Sequence, residues 1–326
     1  MNQIAIVSGL TGMDGSYLAD LLIEKGYKVY GIVRRSSRGN DLGCSKHLAN
    51  NPNLEVVEGD ITDLSSLARI VALVHPALYF NCAAQSHVQI SFNEPVHTAM
   101  ATGIGCLNGL EAIRLSGVHT RFLQCSSSEL YGGVSPEPAN EETPFHPRSP
   151  YACAKLFAHS SVVLYREAYN FFACTTICFN HEGPRRGPAF VTRKITLAVA
   201  RIKHGFQKEL FLGNLDAKRD WGSSKDYTEG MYLALTYKEP TDFVLATGET
   251  HSVREFCEAA FSHVGLDYKD YVKVDPKFYR PAEVNVLLGD ASKAKKLLGW
   301  EPKTKFAELA REMVDNDMQL VGENKI

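Results

Sequence analysis

Ile4-Ala5-Ile6-Val7-Ser8-Gly9-Leu10-Thr11-Gly12-Met13-Asp14-Gly15 is the stretch from which the rest of the chain is read. Four consecutive apolar residues predict a strand buried on both faces. The glycines then lead into Tyr17-Leu18-Ala19-Asp20-Leu21-Leu22-Ile23, a helix closed by Gly26. In such a turn Gly9 permits the tight bend, Gly12 lets backbone approach a pyrophosphate, and Gly15 lets the helix pack on the strand. The phosphates would sit on the unpaired N–H groups of the helix N-terminus, within a loop that also holds Thr11, Met13 and Asp14. A lone glycine pattern is weak; its position between the first strand and the first helix gives this GxxGxxG its weight.

Working outward, the same alternation continues. Lys28–Val33, Leu54–Val57, Leu78–Cys82 and Arg121–Cys125 predict further strands. A helical pattern from Leu64 to Val74 and a long helical stretch ending near Leu115 lie between them. Continuous apolar strands alternating with amphipathic helices predict an α/β fold: a doubly wound, Rossmann-like parallel sheet with both faces covered. After Asn180 the rhythm breaks into a loop rich in Pro, Gly and Arg. A dinucleotide-binding domain is therefore expected over 1–180, with a smaller α/β substrate domain built mainly from 181–326 and a return to the first domain at about 215–248.

Composition narrows the function. The 326 residues are 44% hydrophobic and 22% charged, with a formal net charge of −2, which excludes a disordered chain and gives no basic field for nucleic acid. Apolar runs fall short of a bilayer span, and the first residues lack the order of a signal peptide, so a cytoplasmic protein is expected. The eight cysteines are scattered without a CxxC pair, which predicts small buried side chains in a reducing compartment and no metal site.

Two further regions carry chemistry. The second strand ends in Arg34-Arg35-Ser36-Ser37, where an acid would bind the ribose 2′-hydroxyl of NAD; two arginines and two hydroxyls instead suit the 2′-phosphate of NADP. Asp60, followed by Ile61, is placed to accept from an adenine amine, and Ala83-Ala84-Gln85-Ser86 would line the cofactor after the fourth strand. Tyr151 and Lys155 stand one helical turn apart, and Ser126-Ser127-Ser128-Glu129 ends the fifth strand, at the sheet edge that faces a bound dinucleotide. Ser127 would hold a substrate hydroxyl while Lys155 and an oxidised nicotinamide, both cationic, lower the Tyr151 pKa toward neutrality, so that it serves as base.

GxxGxxG, the serine run and YxxxK together resemble the extended short-chain dehydrogenase/reductase family, whose members act on nucleotide sugars. Within it the chain is most similar to the GDP-mannose 4,6-dehydratases. The likeness covers nearly the whole chain: GIVRRSS at 31–37, AAQSHV at 83–88, SSELYG at 127–132, NHEGPRRG at 180–187, FVTRKI at 190–195, LGNLDAKRDWG at 212–222, ATGETHSVREF at 246–256 and RPAEV at 280–284.

The resemblance implies a lyase that turns GDP-mannose into a 4-keto-6-deoxy sugar. NADP takes hydride from C4, Glu129 eliminates water across C5–C6, and the same hydride returns to C6. A carboxylate is needed for the elimination, because the C4 ketone acidifies the C5 proton and one group can remove it and protonate the departing hydroxyl; a 4-epimerase or 4-keto reductase has no such need. By position the resemblance also implies Arg219 and Arg280 as diphosphate clamps. Ser86, Asn180, Lys194 and Glu283 would line the GDP-sugar, and His181 and Arg186 would stand beside the cofactor. A homodimer or homotetramer is implied as well. The chain departs from the family pattern at Ser127, where Thr is usual, at His97 in place of Tyr near the nicotinamide, and at Gly183 and Pro188-Ala189 in the loop expected to close over substrate.

Overall fold

The computed structural model describes residues 3–36, 41–133, 138–279, 282 and 284–325. Seven strands make one parallel sheet: β1 (Ile4–Ser8), β2 (Lys28–Val33), β3 (Leu54–Glu58), β4 (Leu78–Asn81), β5 (Arg121–Ser127), β6 (Ala173–Cys178) and, after four short strands, β11 (Phe243–Leu245). Their spatial order is β11-β6-β5-β4-β1-β2-β3. The order reverses between β1 and β4, and a doubly wound sheet binds its ligand beyond the carboxyl ends of the strands at such a switch point.

Helices cover both faces. On one, α1 (Met13–Glu24) and α8 (Ser224–Thr236) bury Leu18, Leu22, Tyr227, Met231 and Leu235 against β-strand residues such as Val7, Phe80 and Leu123. On the other, α2 (Leu64–Val74), α5 (Gly105–Ser116) and α6 (Pro150–Tyr169) bury Leu67, Ile70, Leu110, Ile113 and Val162 against Ile6, Tyr79 and Phe122. The long helix expected before Leu115 is instead four pieces: α3 (Val88–Asn93), α4 (Pro95–Thr98), a π-helical turn at Ala99–Ile104, and α5. Pro95 starts α4 because it has no N–H to continue α3. The π-helical turn brings Met100 and Ala101 to the cavity described below.

The chain leaves the sheet after β6. The short strand β7 (Asn180–Glu182) pairs in parallel with β10 (Trp221–Ser223). Between them lie α7 (Val191–Lys203), β8 (Leu210–Leu212) and β9 (Lys218–Arg219). A second core is formed as α7, α9 (Val253–His263) and α12 (Phe306–Gly322) pack Ile195, Val199, Phe256, Phe261, Leu309 and Met313 around Trp221. Among the described residues α10 (Tyr268–Tyr271), a 3-10 turn at Pro276–Phe278 and α11 (Ser292–Leu298) lie between α9 and α12. Late in sequence, Ala294 of α11 and Trp300 join the first core rather than the second, with Trp300 Nε1 donating to the Asp226 carbonyl at 2.8 Å.

Candidate active site

The turn after β1 shows why glycine is required there. Gly9 has φ +81°, and a Cβ on it would lie 2.7 Å from the Ala83 nitrogen after β4; a Cβ on Gly15 would lie 2.2 Å from the Gly9 carbonyl. The turn is thus clamped between two strands, and α1 starts at once behind it. Gly12 caps α1 with no side-chain hydrogen bond, so the first-turn N–H groups face a cavity of about 1130 Å³. Drug-sized pockets run to roughly 1,000 Å³, so this cavity stands at the large end of ligand sites.

The cavity gathers most of the expected cofactor residues. Gly9, Thr11, Gly12, Met13, Asp14, Gly15, Arg34, Asp60, Ile61 and the run Ala83–Ser86 line it. Arg35 and Ser36 do not; Arg35 is exposed, with Nε 3.9 Å from Glu58 Oε2. Ser37 lies outside the described residues. Asp60 Oδ1 accepts from the Thr62 N–H and hydroxyl at 2.9 and 2.8 Å, which holds the carboxylate at the rim.

Asp14 and His181 form a mostly buried pair in the cavity wall, their side chains 19% and 11% exposed. His181 Nε2 lies 3.0 Å from Asp14 Oδ2, and His181 Nδ1 lies 2.7 Å from the Phe179 carbonyl oxygen. With an acceptor at each nitrogen the ring is best satisfied as imidazolium. Burial works against that charge, but Asp14 overrides it and pushes the pKa up to about 9. Burial also works against the Asp14 carboxylate, and His181 with the Ser224 hydroxyl overrides it, to about 2. The Tyr227 ring stacks on the imidazole at 4.8 Å and shields the pair.

At the other end Ser127, Glu129, Tyr151 and Lys155 meet in the same cavity. The Ser127 hydroxyl caps a 3-10 turn by accepting from the Glu129 N–H at 3.2 Å, which brings the buried Glu129 side chain to the wall. Ser149 and Pro150 start α6 and place Tyr151 and Lys155 on its buried side. Lys155 Nζ donates to the Cys125 carbonyl at 2.6 Å and lies 5.8 Å from the centre of the Tyr151 ring.

Burial pushes the Tyr151 phenol, 7% exposed, above its ordinary value, and the opposing pull of Lys155 and the Ser127 hydroxyl does not reverse this. The expected fall toward neutrality calls on Lys155 together with an oxidised nicotinamide, and Lys155 supplies one of those two charges.

Asn180, Lys194 and Arg219 also line the cavity, as do His181, Arg186 and His97. Arg219 is buried and its Nη1 donates to the Val284 carbonyl at 2.7 Å. Lys194 Nζ donates to the Phe211 carbonyl and sits 3.9 Å from the centre of the Phe278 ring. Arg280 and Glu283 lie outside the described residues. The sequence reading missed Glu182, Phe190, Trp221, Lys277 and Phe278, all in the wall. It also took the cysteines only as filler, yet Cys82, Cys125 and Cys178 line the cavity floor. The adjacent position of each at a strand end was the available signal.

The wall fits a polar dinucleotide. The start of α1 has no side-chain cap, and on the cavity-lining Ser126 and Asn180 the buried Oγ and Oδ1 have no hydrogen-bond partner within the protein; such groups are costly unless a ligand completes them. A doubly wound sheet with a glycine-rich switch-point turn and a Ser-Tyr-Lys cluster at its carboxyl edge defines the extended short-chain dehydrogenase/reductases. The UDP-glucose 4-epimerase of Thermotoga maritima, solved with UDP-glucose, superposes with TM-score 0.85 at 28% identity, covering 98% of this chain and 99% of that one. The dTDP-glucose 4,6-dehydratase DesIV of Streptomyces venezuelae superposes with TM-score 0.86 at 23% identity, covering 98% of each chain.

Within that class the chain belongs to the GDP-mannose 4,6 dehydratase family, whose model matches residues 6–313. It is 50% identical to the human GDP-mannose 4,6 dehydratase over 347 residues, covering 99% of this chain and 93% of that protein. It is 48% identical to the Vibrio cholerae enzyme over 351 residues, covering 97% and 94%.

Proposed function

We propose that this protein dehydrates GDP-mannose to GDP-4-keto-6-deoxymannose with NADP as a resident cofactor. The observation that carries the proposal is the buried Glu129 carboxyl in one cavity with Ser127, Tyr151 and Lys155, in a chain of this family. When bound, the nicotinamide accepts hydride from C4 of the sugar and returns it to C6, so the cofactor is unchanged overall.

The chain's residues do the rest. Ser127 and Tyr151 hold the C4 hydroxyl, and Tyr151 takes its proton. Lys155, anchored on the Cys125 carbonyl, keeps a fixed positive charge beside the phenolate. Glu129 removes the C5 proton and protonates the C6 hydroxyl as it departs; C5 is then reprotonated by Tyr151, which gives back the proton taken from the C4 hydroxyl. Arg34 at the rim supports NADP over NAD, since a guanidinium there favours a 2′-phosphate. Arg219 with Asn180, Lys194 and Ser86 would hold the GDP-sugar, and Arg280 and Glu283, outside the described residues, belong to the same proposal. Arg186 would meet the dinucleotide.

The chain is further read as a cytoplasmic homodimer or homotetramer. Exposed Val96, Phe157 and Leu164 support association. All eight thiols are free, and among the described residues no helix is long and apolar enough to cross a membrane. Light scattering should return two or four times the chain mass; a monomer at micromolar concentration would contradict this.

Replacing Glu129 with Gln tests the reaction. Elimination should fall by about 10²–10⁴-fold with the fold and NADP binding intact. A related 4-epimerase or 4-keto reductase would instead keep its turnover, and that result would displace the dehydratase reading.

A further inference from the structure

Arg193 lies in the first turn of α7 and Asp317 lies in α12, and neither is among the residues lining the cavity. Asp317 is fully buried and Arg193 nearly so. The guanidinium grips the carboxylate with two bonds, Nε to Oδ2 at 2.8 Å and Nη2 to Oδ1 at 2.7 Å. The Thr196 hydroxyl donates to Oδ2 at 2.6 Å and the Asn316 amide to Oδ1 at 3.0 Å, so the carboxylate is saturated. A buried pair is tolerated only with this degree of satisfaction.

The remaining arm of Arg193 points elsewhere. Nη1 donates to the carbonyls of Pro184 and Arg186, the latter at 3.0 Å. This is the loop that crosses from β7 to α7. Besides the turn bonds from Arg186 N to the Gly183 carbonyl and from Phe190 N to the Gly187 carbonyl, the loop meets Cys44 Sγ at the Arg185 carbonyl (3.2 Å) and His87 Nε2 at the Ala189 carbonyl (3.3 Å), and Arg185 Nη1 pairs with Asp20 Oδ2 of α1 at 2.6 Å. From the same turn of α7, the Thr192 hydroxyl donates at 2.7 Å to Glu182 Oε2, and Arg186 Nε lies 3.0 Å from that oxygen. The Arg186 guanidinium is thereby laid over Phe190, 3.5 Å from the ring centre, in the cavity wall.

We propose that Asp317 and Arg193 are positioning residues of the cofactor site: their ion pair ties the loop at 183–187 to α12 and so orients Arg186 toward the dinucleotide phosphates. The inference rests on the reading above that Arg186 meets the dinucleotide. It assigns a role in cofactor affinity to a side chain in the last helix that does not line the cavity.

A double-mutant cycle on the full chain, stripped of cofactor, tests it, with NADP and GDP affinities measured by calorimetry and the melting temperature recorded for each variant. Asp317→Asn should weaken NADP by about tenfold and leave GDP within about twofold, Arg186→Gln should weaken NADP at least as much, and the double variant should match Arg186→Gln within about twofold. Arg193→Lys keeps the charge but loses the fork that spans the carboxylate and the loop, and should also weaken NADP selectively. Thr196→Val removes one donor from the same carboxylate while leaving the pair; it serves if Asp317→Asn does not accumulate folded, with a two- to threefold effect of about the same selectivity.

Equal weakening by Asp317→Asn in both backgrounds, or equal loss of NADP and GDP, overturns the positioning role and leaves a general structural one. Arg186→Gln binding NADP as the parent does would overturn the underlying reading instead, because Arg186 would not be a cofactor contact. Arg186→Gln weakening NADP while neither Asp317→Asn nor Arg193→Lys does would overturn the inference alone.

Discussion

The Tyr151 phenol and the Asp14–His181 pair show how much of this site depends on burial rather than residue type. Tyr151 keeps its proton more firmly than a free tyrosine, so the cofactor's positive ring must complete its activation. Tyr151→Phe should therefore lower turnover by about 10²–10⁴-fold with NADP affinity nearly unchanged, measured by steady-state assay and calorimetry. The Asp14–His181 pair predicts a pH signature. The His181 pKa rises from 6.5 to about 9 on folding, so its stabilisation is complete below 6.5 and is lost as pH climbs to about 9. At about 1.4 kcal/mol per unit this is on the order of 3 kcal/mol as an upper figure. Asp14 works in the opposite range, fully present above 3.8 and lost as pH falls toward about 2. Urea unfolding of cofactor-free protein between pH 6.5 and 9 should show this decline, and Asp14→Asn should flatten it; an unchanged slope in the variant would show that the decline has another source. None of this pairing is legible in the sequence, where Asp14 and His181 are 167 positions apart.

At the scale of elements, what could be read was local. GxxGxxG declares a turn because the approach of Gly15 to Gly9 is a consequence of a strand running straight into a helix, whereas the approach of Gly9 to Ala83 depends on β4 lying beside β1. Gly15→Ala should then destabilise the protein by about 1–3 kcal/mol and weaken NADP, seen as a lower melting temperature and a raised dissociation constant. Tyr151 and Lys155 could be placed together because one helical turn separates them. The interrupted helix before α5 was not legible, since apolar periodicity passes through Pro95 and a π-helical turn without changing its pattern. The basic turn after β2 was legible only by half: Arg34 reaches the cavity while Arg35 stays in solvent near Glu58. Arg34→Glu should accordingly reduce the preference for NADP over NAD by at least about tenfold, and an unchanged cofactor ratio would contradict its role at the 2′-phosphate.

For the whole molecule, the parallel sheet was legible because buried strands announce themselves as continuous apolar runs. A second domain over 181–326 was legible from the break in rhythm after Asn180, but the way its core closes was not, because its short strands and the helices α7, α9 and α12 meet only in three dimensions around Trp221. The same holds for the wall formed by Glu182, Lys277 and Phe278, and for the return of α11 and Trp300 to the first core. These long-range meetings put the turn after β1, the Ser127–Glu129–Tyr151–Lys155 cluster and Arg219 around one cavity, as oxidation, elimination and reduction on a retained sugar require. The most direct test is to supply GDP-mannose deuterated at C4, with NADP far below the substrate concentration, and to follow the sugar by NMR. The proposed reaction gives a GDP-4-keto-6-deoxy sugar carrying the deuterium at C6 and no accumulation of NADPH. Deuterium retained at C4 in a C4 epimer, or unchanged GDP-mannose with folded, NADP-bound protein, would contradict it.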